Sequence, residues 1–112
     1  MVAEISLGAT LAGSVSLKTC VYNASGPRTG SSAALAKVAA SQAGGVLTKS
    51  STLLSQTGNP QPRTWHAPDN KASFNSEGLP NPGIDYFLKD STMEETMKGA
   101  EDKPYMVRYV QH

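Results

Sequence analysis

The middle of the chain carries a β-α-β pattern with short links, and this pattern limits the possible folds more than any other feature. A short apolar run at Val21-Tyr22 leads into the breaker Gly26-Pro27, and a second run of small and β-branched residues occupies residues 45–50. A helix is predicted between the two runs. Two strands joined by one helix favour a parallel sheet with a right-handed crossover, so the sequence predicts an α/β fold.

The helix in this pattern is predicted to run from about Ala33 to Gln42. Its apolar side chains recur at i, i+3 and i+4 spacing, on Leu35, Val38 and Ala39. Ser31 and Ser32 offer hydroxyl caps at its start. Gly44 is predicted to end the helix, as a glycine often does after the last turn.

Weaker signals flank this unit. Alternating runs within residues 5–17, interrupted by Gly8 and Gly13, predict a β-hairpin. Residues 55–70 are rich in proline and are predicted to form a loop, of a length that is more often functional than filler. Four further elements are predicted: a strand end at 74–76, a helix starting near 83–85, a helical stretch at 94–98 and a strand over 105–110.

The number of predicted elements does not complete a closed sheet. Three or four parallel strands form an arc with open, apolar edges, which is a liability unless something covers them. A (β/α)₈ barrel needs roughly 250 residues, and this chain has 112. We therefore predict that other protein chains cover the open edge.

Charge and hydropathy exclude several classes of partner. Ten Lys and Arg residues balance nine Asp and Glu residues, so the formal net charge is +1 and no basic field attracts nucleic acid. No run of about 18 apolar residues exists that would span a membrane. No basic segment precedes Lys18, so a secretory signal is not indicated. These features predict an intracellular, cytoplasmic chain, with an organelle as the alternative if it is part of a larger complex.

The residues most often used for catalysis or metal binding are scarce and scattered. Cys20 is the single cysteine, which excludes an internal disulfide and a multi-cysteine zinc site. His66 and His112 have no partner at metal-ligand spacing, and no Cys/His pair is evident. The sequence therefore predicts no catalytic residue and no metal site.

Two polar features follow the predicted strands, where parallel α/β folds bind ligands. The small residues of the stretch 23–26 (Asn-Ala-Ser-Gly) let a flat ring approach the backbone, although a tight βα turn explains them equally well. Lys49 closes an apolar strand, where its cation can stabilise negative charge on a ligand. The alternative for Lys49 is an ordinary surface lysine at a strand mouth.

Two later stretches are also candidates for binding. The stretch 75–81 contains two asparagine amides and a glycine, which suits a planar ligand with carboxylate and amide groups; a turn is the more ordinary explanation. Arg63 with Trp65 can close over a ligand or a partner subunit, and a solvated loop arginine is equally compatible with the sequence.

Four strings in this chain together resemble one family. They are residues 20–26, 45–50, 57–63 (Thr-Gly-Asn-Pro-Gln-Pro-Arg) and 75–88, which begins Asn-Ser-Glu-Gly-Leu-Pro-Asn. Their order and spacing resemble the N-terminal third of class 1 dihydroorotate dehydrogenases, in the cytosolic branch that uses fumarate. The resemblance extends over about residues 15–107.

The resemblance implies an FMN-dependent (β/α)₈ TIM barrel that oxidises dihydroorotate to orotate in pyrimidine synthesis. The chain would be a partial barrel, with an N-terminal hairpin in residues 1–18 and the first three or so β/α units in 19–112. The implied FMN contacts are Ala24, Ser25, Gly26, Lys49 and Ser50. The implied dihydroorotate contacts are Lys49, Asn75, Gly78 and Leu79. The catalytic cysteine, later asparagines and phosphate loops of the family lie downstream of these strings, and Cys20 does not match the catalytic cysteine motif.

Several positions depart from the family pattern. Glu77 stands where the family usually has methionine, and an acid there repels an anionic substrate unless it is protonated or turned away. At residues 27–32 the family usually has an acidic helix start, which this chain lacks. At Arg108-Tyr109 the family usually has small polar residues. Two functions therefore stay open: the N-terminal portion of a dihydroorotate dehydrogenase, or a truncated, catalytically inactive subunit with a structural role in a larger complex. A free-standing flavin module, and a chain that has lost FMN, are the remaining alternatives.

Overall fold

Short strands and helices alternate along the part of the chain that the structure, a computed structural model, describes: residues 8–11 and 13–111. In chain order they are β1 (Ala9–Leu11), β2 (Val15–Leu17), α1 (Ser32–Ala39), β3 (Val46–Leu47), β4 (Thr64–His66), β5 (Ser73–Asn75), α2 (Ile84–Leu88), α3 (Asp90–Met97) and β6 (Tyr105–Met106). The predicted α/β class is confirmed. Among these described elements, no helix is long and apolar enough to cross a membrane.

The strands β3 and β6 are parallel neighbours, with Val46 opposite Tyr105. Their pairing continues beyond the regular strands. The Ser51 N–H donates to the Arg108 carbonyl at 2.9 Å, and the Ser51 carbonyl accepts from the Val110 N–H at 2.9 Å. The two strands predicted here are therefore present and parallel, although the regular part of each is only two residues long.

The other edge of β3 is paired by a side chain rather than by a strand. The prediction of a strand at Val21-Tyr22 is wrong, because this segment has no regular secondary structure. Asn23 instead donates from Nδ2 to the Leu47 carbonyl at 2.7 Å and accepts from the Leu47 N–H at 2.8 Å. An asparagine amide carries the same donor and acceptor as a peptide group. Further along, the Lys49 N–H donates to the Thr29 carbonyl at 3.0 Å, so this segment runs beside β3.

Helix α1 starts as predicted and ends earlier. The Ser31 hydroxyl accepts from the Ala34 N–H at 3.2 Å and caps the helix. The helix ends at Ala39, and Gly44 does not cap it as predicted. Gly44 is required for a different reason, because a Cβ there would lie 2.2 Å from the carbonyl oxygen of Thr19.

The hydrophobic core lies where α1 and α3 pack together beside β3. Its buried members are Leu35, Ala39, Val46, Phe87, Met97 and Ala100. The Tyr105 hydroxyl donates to the Phe87 carbonyl at 2.9 Å at the border of this core. Burial raises the pKa of Tyr105 to about 12, so the phenol keeps its proton and its hydrogen bond at alkaline pH values at which an exposed tyrosine ionises.

The predicted N-terminal hairpin is present as β1 and β2, which pair antiparallel; residues 5–7 and 12 of the predicted run lie outside the described residues. Leu17 is buried at the end of β2. A Cβ on Gly45 would lie 3.1 Å from the Leu17 side chain and 3.1 Å from that of Met106. The hairpin therefore packs at the amino ends of β3 and β6, and the residues that follow β3 lie at the opposite edge.

The described strands do not close into a barrel, and the chain is more open than a self-contained domain. Its radius of gyration is 16.1 Å, whereas about 13 Å is typical of a compact domain of this length. Among the residues whose burial is described, six large apolar side chains are at least half exposed: Val21, Leu53, Leu54, Phe74, Leu88 and Tyr109. Both observations agree with the expected open arc.

Candidate functional site

Lys49 lies just past the carboxyl end of β3 and is almost entirely buried, with 8% of its surface exposed. Its ammonium has no hydrogen bond or ion pair with any residue that the structure describes. The interpretation as an ordinary surface lysine is therefore wrong. Because most of the side chain is buried while Nζ stays accessible, the cation is fixed in place and available to an anion or an electron-rich ring edge.

Ser25 and Ser50 meet next to Lys49. The Ser50 N–H donates to the Ser25 hydroxyl oxygen at 2.6 Å, and the two hydroxyl oxygens are 2.9 Å apart. These bonds attach the segment after Asn23 to the end of β3. The structure thus brings together three of the residues proposed for the cofactor.

The turn that follows is organised by Thr29. The Thr29 hydroxyl donates to the Gly26 carbonyl at 2.8 Å and accepts from the Gly26 N–H at 3.1 Å. The tight turn considered from the sequence is therefore present. It leaves room at Gly26, because the nearest atom to a Cβ built there is the Ala24 carbonyl oxygen at 4.0 Å. The turn and an open ring-binding surface are compatible.

The other three candidates lie beyond β3, at the end of the β4–β5 hairpin. Asn75 is exposed and lies opposite Thr64. Gly78 and Leu79 follow it, both with left-handed backbone, at φ values of +74° and +56°. Within the described chain, no hydrogen bond or ion pair joins the side chain of Lys49 to this group, so the candidate residues form two groups.

Asn81 connects these two groups. Its Oδ1 accepts from the N–H groups of Thr52 at 3.1 Å and Gly83 at 2.9 Å. Its Nδ2 donates to the Thr52 hydroxyl at 3.1 Å and to the Leu79 carbonyl at 3.0 Å. The idea that Asn81 offers its amide to a ligand is wrong, because the amide is buried and both of its ends are already bonded within the protein.

Glu77 is turned towards the protein. Its Oε2 lies 2.7 Å from Nε of Arg63, its Oε1 accepts from the Thr64 hydroxyl, and both charged side chains are less than a fifth exposed. Arg63 is therefore not a solvated loop arginine. The Trp65 ring stacks on Phe74, with 5.1 Å between ring centroids, and the closure of Arg63 and Trp65 over a ligand or a partner subunit stays a prediction.

This ion pair was missed because residues 55–70 were predicted to be loop throughout. β4 and β5 form an antiparallel hairpin in which Thr64 is opposite Asn75, and this register brings Arg63 beside the residues after β5. The turn in residues 67–70, Ala-Pro-Asp-Asn, has typical turn composition and is the signal that would have revealed the hairpin.

We expect Gly78→Ala to destabilise the chain more than Gly99→Ala does. Both glycines have left-handed backbone, with φ values of +74° and +78°. A Cβ on Gly78 would lie 2.6 Å from Cγ of Asn59, whereas a Cβ on Gly99 meets nothing within 4 Å. The backbone strain of about 1–2 kcal/mol is common to both, so urea unfolding should show a larger loss for Gly78→Ala. Equal losses would show that the Asn59 contact yields without cost.

A parallel α/β segment with a buried lysine at its carboxyl edge belongs to the class of units that bind small ligands at the ends of their strands. The family model for dihydroorotate dehydrogenase matches residues 7–107 of this chain. The chain therefore belongs to the dihydroorotate dehydrogenase family, as the resemblance indicated.

Individual relatives agree with this assignment. The dihydroorotate dehydrogenase (fumarate) of Saccharomyces cerevisiae is 48% identical over 82 residues, which are 73% of this chain and 25% of that protein. The dihydroorotate dehydrogenase (fumarate) of Lachancea kluyveri is 43% identical over 82 residues, with the same coverage of 73% and 25%. The chain thus spans about a quarter of the length of the curated relatives that it matches.

Proposed function

We propose that this chain supplies the first β/α units of an FMN-dependent dihydroorotate dehydrogenase, with the hairpin in residues 1–18 and the barrel units in 19–112. The observation that carries the proposal is the position of Lys49, a largely buried residue at the carboxyl edge of β3 whose ammonium has no partner among the described residues. An anionic substrate beside an electron-rich ring is a partner that suits such a cation. The matched family and the fumarate-using relatives support the same reaction.

The residues around Lys49 fit the ring of a flavin. In the proposed arrangement Ala24, Ser25 and Gly26 lie against the ring, because the absent side chain of Gly26 leaves open space above the turn. Ser50 holds this turn at the strand end through Ser25, and Lys49 contacts the ring edge. When bound, FMN supplies the hydride acceptor. These residues contact the ring alone, so the FMN phosphate needs an anchor elsewhere.

In the proposed substrate site, Lys49 attracts the dihydroorotate carboxylate. Asn75 ends β5 with an exposed amide that can donate and accept without adding charge. Gly78 and Leu79 offer backbone groups. The left-handed backbone of Leu79 supports this role, because a non-glycine residue in that region is strained and such strain often lies at binding sites.

The open edge supports a further part of the proposal, that other protein covers it. Leu53, Leu54 and Tyr109 are exposed beyond the last parallel bridge, which joins Ser51 to Tyr109. Further β/α units of a (β/α)₈ barrel, on this or another chain, would bury them. The likeness to fumarate-using relatives also supports the cytosol as the compartment.

A chimera tests the proposal directly. The matched quarter of the Saccharomyces cerevisiae dihydroorotate dehydrogenase (fumarate) is replaced by the corresponding residues of this chain. We expect a purified chimera with the visible absorbance of bound flavin and with measurable orotate formation. A folded chimera that is colourless and inactive would overturn the proposal and would favour the structural-subunit alternative.

A further inference from the structure

Arg63 is bonded on several sides at the base of the β4–β5 hairpin. Its Nε lies 2.7 Å from Oε2 of Glu77, and its Nη1 donates to the carbonyls of Thr57 at 2.9 Å and Asn59 at 3.0 Å. The Thr64 hydroxyl donates to the other oxygen of the Glu77 carboxylate. One guanidinium therefore joins the loop before β4 to the residue that precedes Gly78 and Leu79.

A second set of bonds joins the same two loops. The Asn59 N–H donates to the Glu77 carbonyl at 2.8 Å, and Nδ2 of Asn59 donates to the Ser76 carbonyl at 2.6 Å. The Ser76 N–H donates to the Arg63 carbonyl at 2.8 Å. These bonds hold the backbone of the two loops together without using either charge. The Arg63–Glu77 ion pair is therefore not needed simply to keep the loops in contact.

The charges of the pair have a separate consequence. A carboxylate at position 77 lies next in sequence to backbone groups proposed for an anionic substrate, and an uncompensated charge there would repel that substrate. The observed pair compensates it, since both side chains are largely buried and in direct contact. Arg63 in turn has its Nε and Nη1 committed to protein atoms, so it is poorly placed to bind the substrate itself.

We infer that Arg63 is a positioning residue that neutralises Glu77, so that the loop 75–79 can accept an anionic substrate despite carrying an acid. The inference rests on the proposed function and adds to it a specificity role for the ion pair. It predicts that the loss of substrate affinity on removing Arg63 is caused by the uncompensated charge of Glu77. Removing Glu77 as well should then restore binding.

The test uses the chimera described above with Arg63→Met, Glu77→Met and the double variant. We expect Arg63→Met to raise the KM for dihydroorotate about tenfold, with a smaller change in kcat, and Glu77→Met not to raise KM. The double variant should return KM to within about twofold of Glu77→Met. Arg63→Gln, which can keep polar contacts with the loop carbonyls, replaces Arg63→Met if the latter is not recovered folded.

Two results would overturn the inference. A double variant as impaired as Arg63→Met would show that Arg63 acts by holding the loop and not by compensating charge. An unchanged KM in Arg63→Met would show that Glu77 does not affect the substrate. Arg28→Met and Glu94→Met, at exposed positions, are the matched controls. Failure of the proposed function is recognised separately, because the unsubstituted chimera would then form no orotate.

Discussion

We expect Lys49→Met to reduce orotate formation by the chimera by about 100-fold to 1000-fold, the range seen when one preorganised group that stabilises developing charge is removed. Lys49 is largely buried beside the strand end, and its ammonium has no partner among the described residues. Methionine keeps most of the length and the apolar contacts of the side chain and removes its charge and its N–H donors. The effect should appear in kcat, measured by the rate of orotate formation at saturating dihydroorotate.

The control for Lys49 is Lys98→Met, because Lys98 is exposed just after α3. It changes net charge equally and should leave the rate within about twofold. A Lys49→Met chimera that retains its folded structure and full activity would show that the cation of Lys49 has no part in the reaction. In that case the strongest structural support for the proposed function would be lost.

The second large effect concerns stability. We expect Phe87→Ala to lower the free energy of unfolding by about 3–5 kcal/mol, as is typical for a buried phenylalanine. Phe87 is completely buried between the helices, and its ring meets Tyr86 edge-on with 5.0 Å between centroids. A small core loses a large part of its contacts when this ring is removed, so the variant should unfold at much lower urea concentration.

The neighbouring residue provides the control for this variant. Leu88 lies in the same helix and is 54% exposed, so Leu88→Ala should cost less than about 1 kcal/mol. Both losses are measured by urea unfolding of this chain, in which Leu88 is exposed, with circular dichroism as the signal. Similar losses at the two positions would show that Phe87 is not at the centre of the core.

The parallel part of the fold was predictable because its signals are local. The small, β-branched run at 45–50, the cap at Ser31 and the apolar spacing of α1 each depend on a few adjacent residues. The pairing of the Val21–Tyr22 segment was not predictable in the same way. Asn23 replaces a strand by bonding to a residue 24 positions away, and no periodicity in the sequence reports such a contact.

In the candidate site, too, features set by adjacent residues were predictable and contacts between distant residues were not. Lys49 was identified from its position after an apolar strand, and its burial makes that position more informative than the sequence alone did. The ion pair of Glu77 with Arg63 could not be predicted, because it depends on the register of the β4–β5 hairpin. The prolines around β4 made that segment resemble a loop. From residue types alone, one could state only that Glu77 has to be turned away from an anionic substrate. The structure shows that the hairpin turns it towards Arg63, with which it forms an ion pair.

The four bonds of Asn81 have a consequence for the timing of local motions. Because one side chain accepts from the amides of Thr52 and Gly83 together, a motion that displaces this side chain exposes both amides to solvent. Their protons should therefore exchange with deuterium as one cooperative unit. The end of β3 and the loop that carries Leu79 would then rearrange in a single step, so that the two groups of candidate residues take up their positions together.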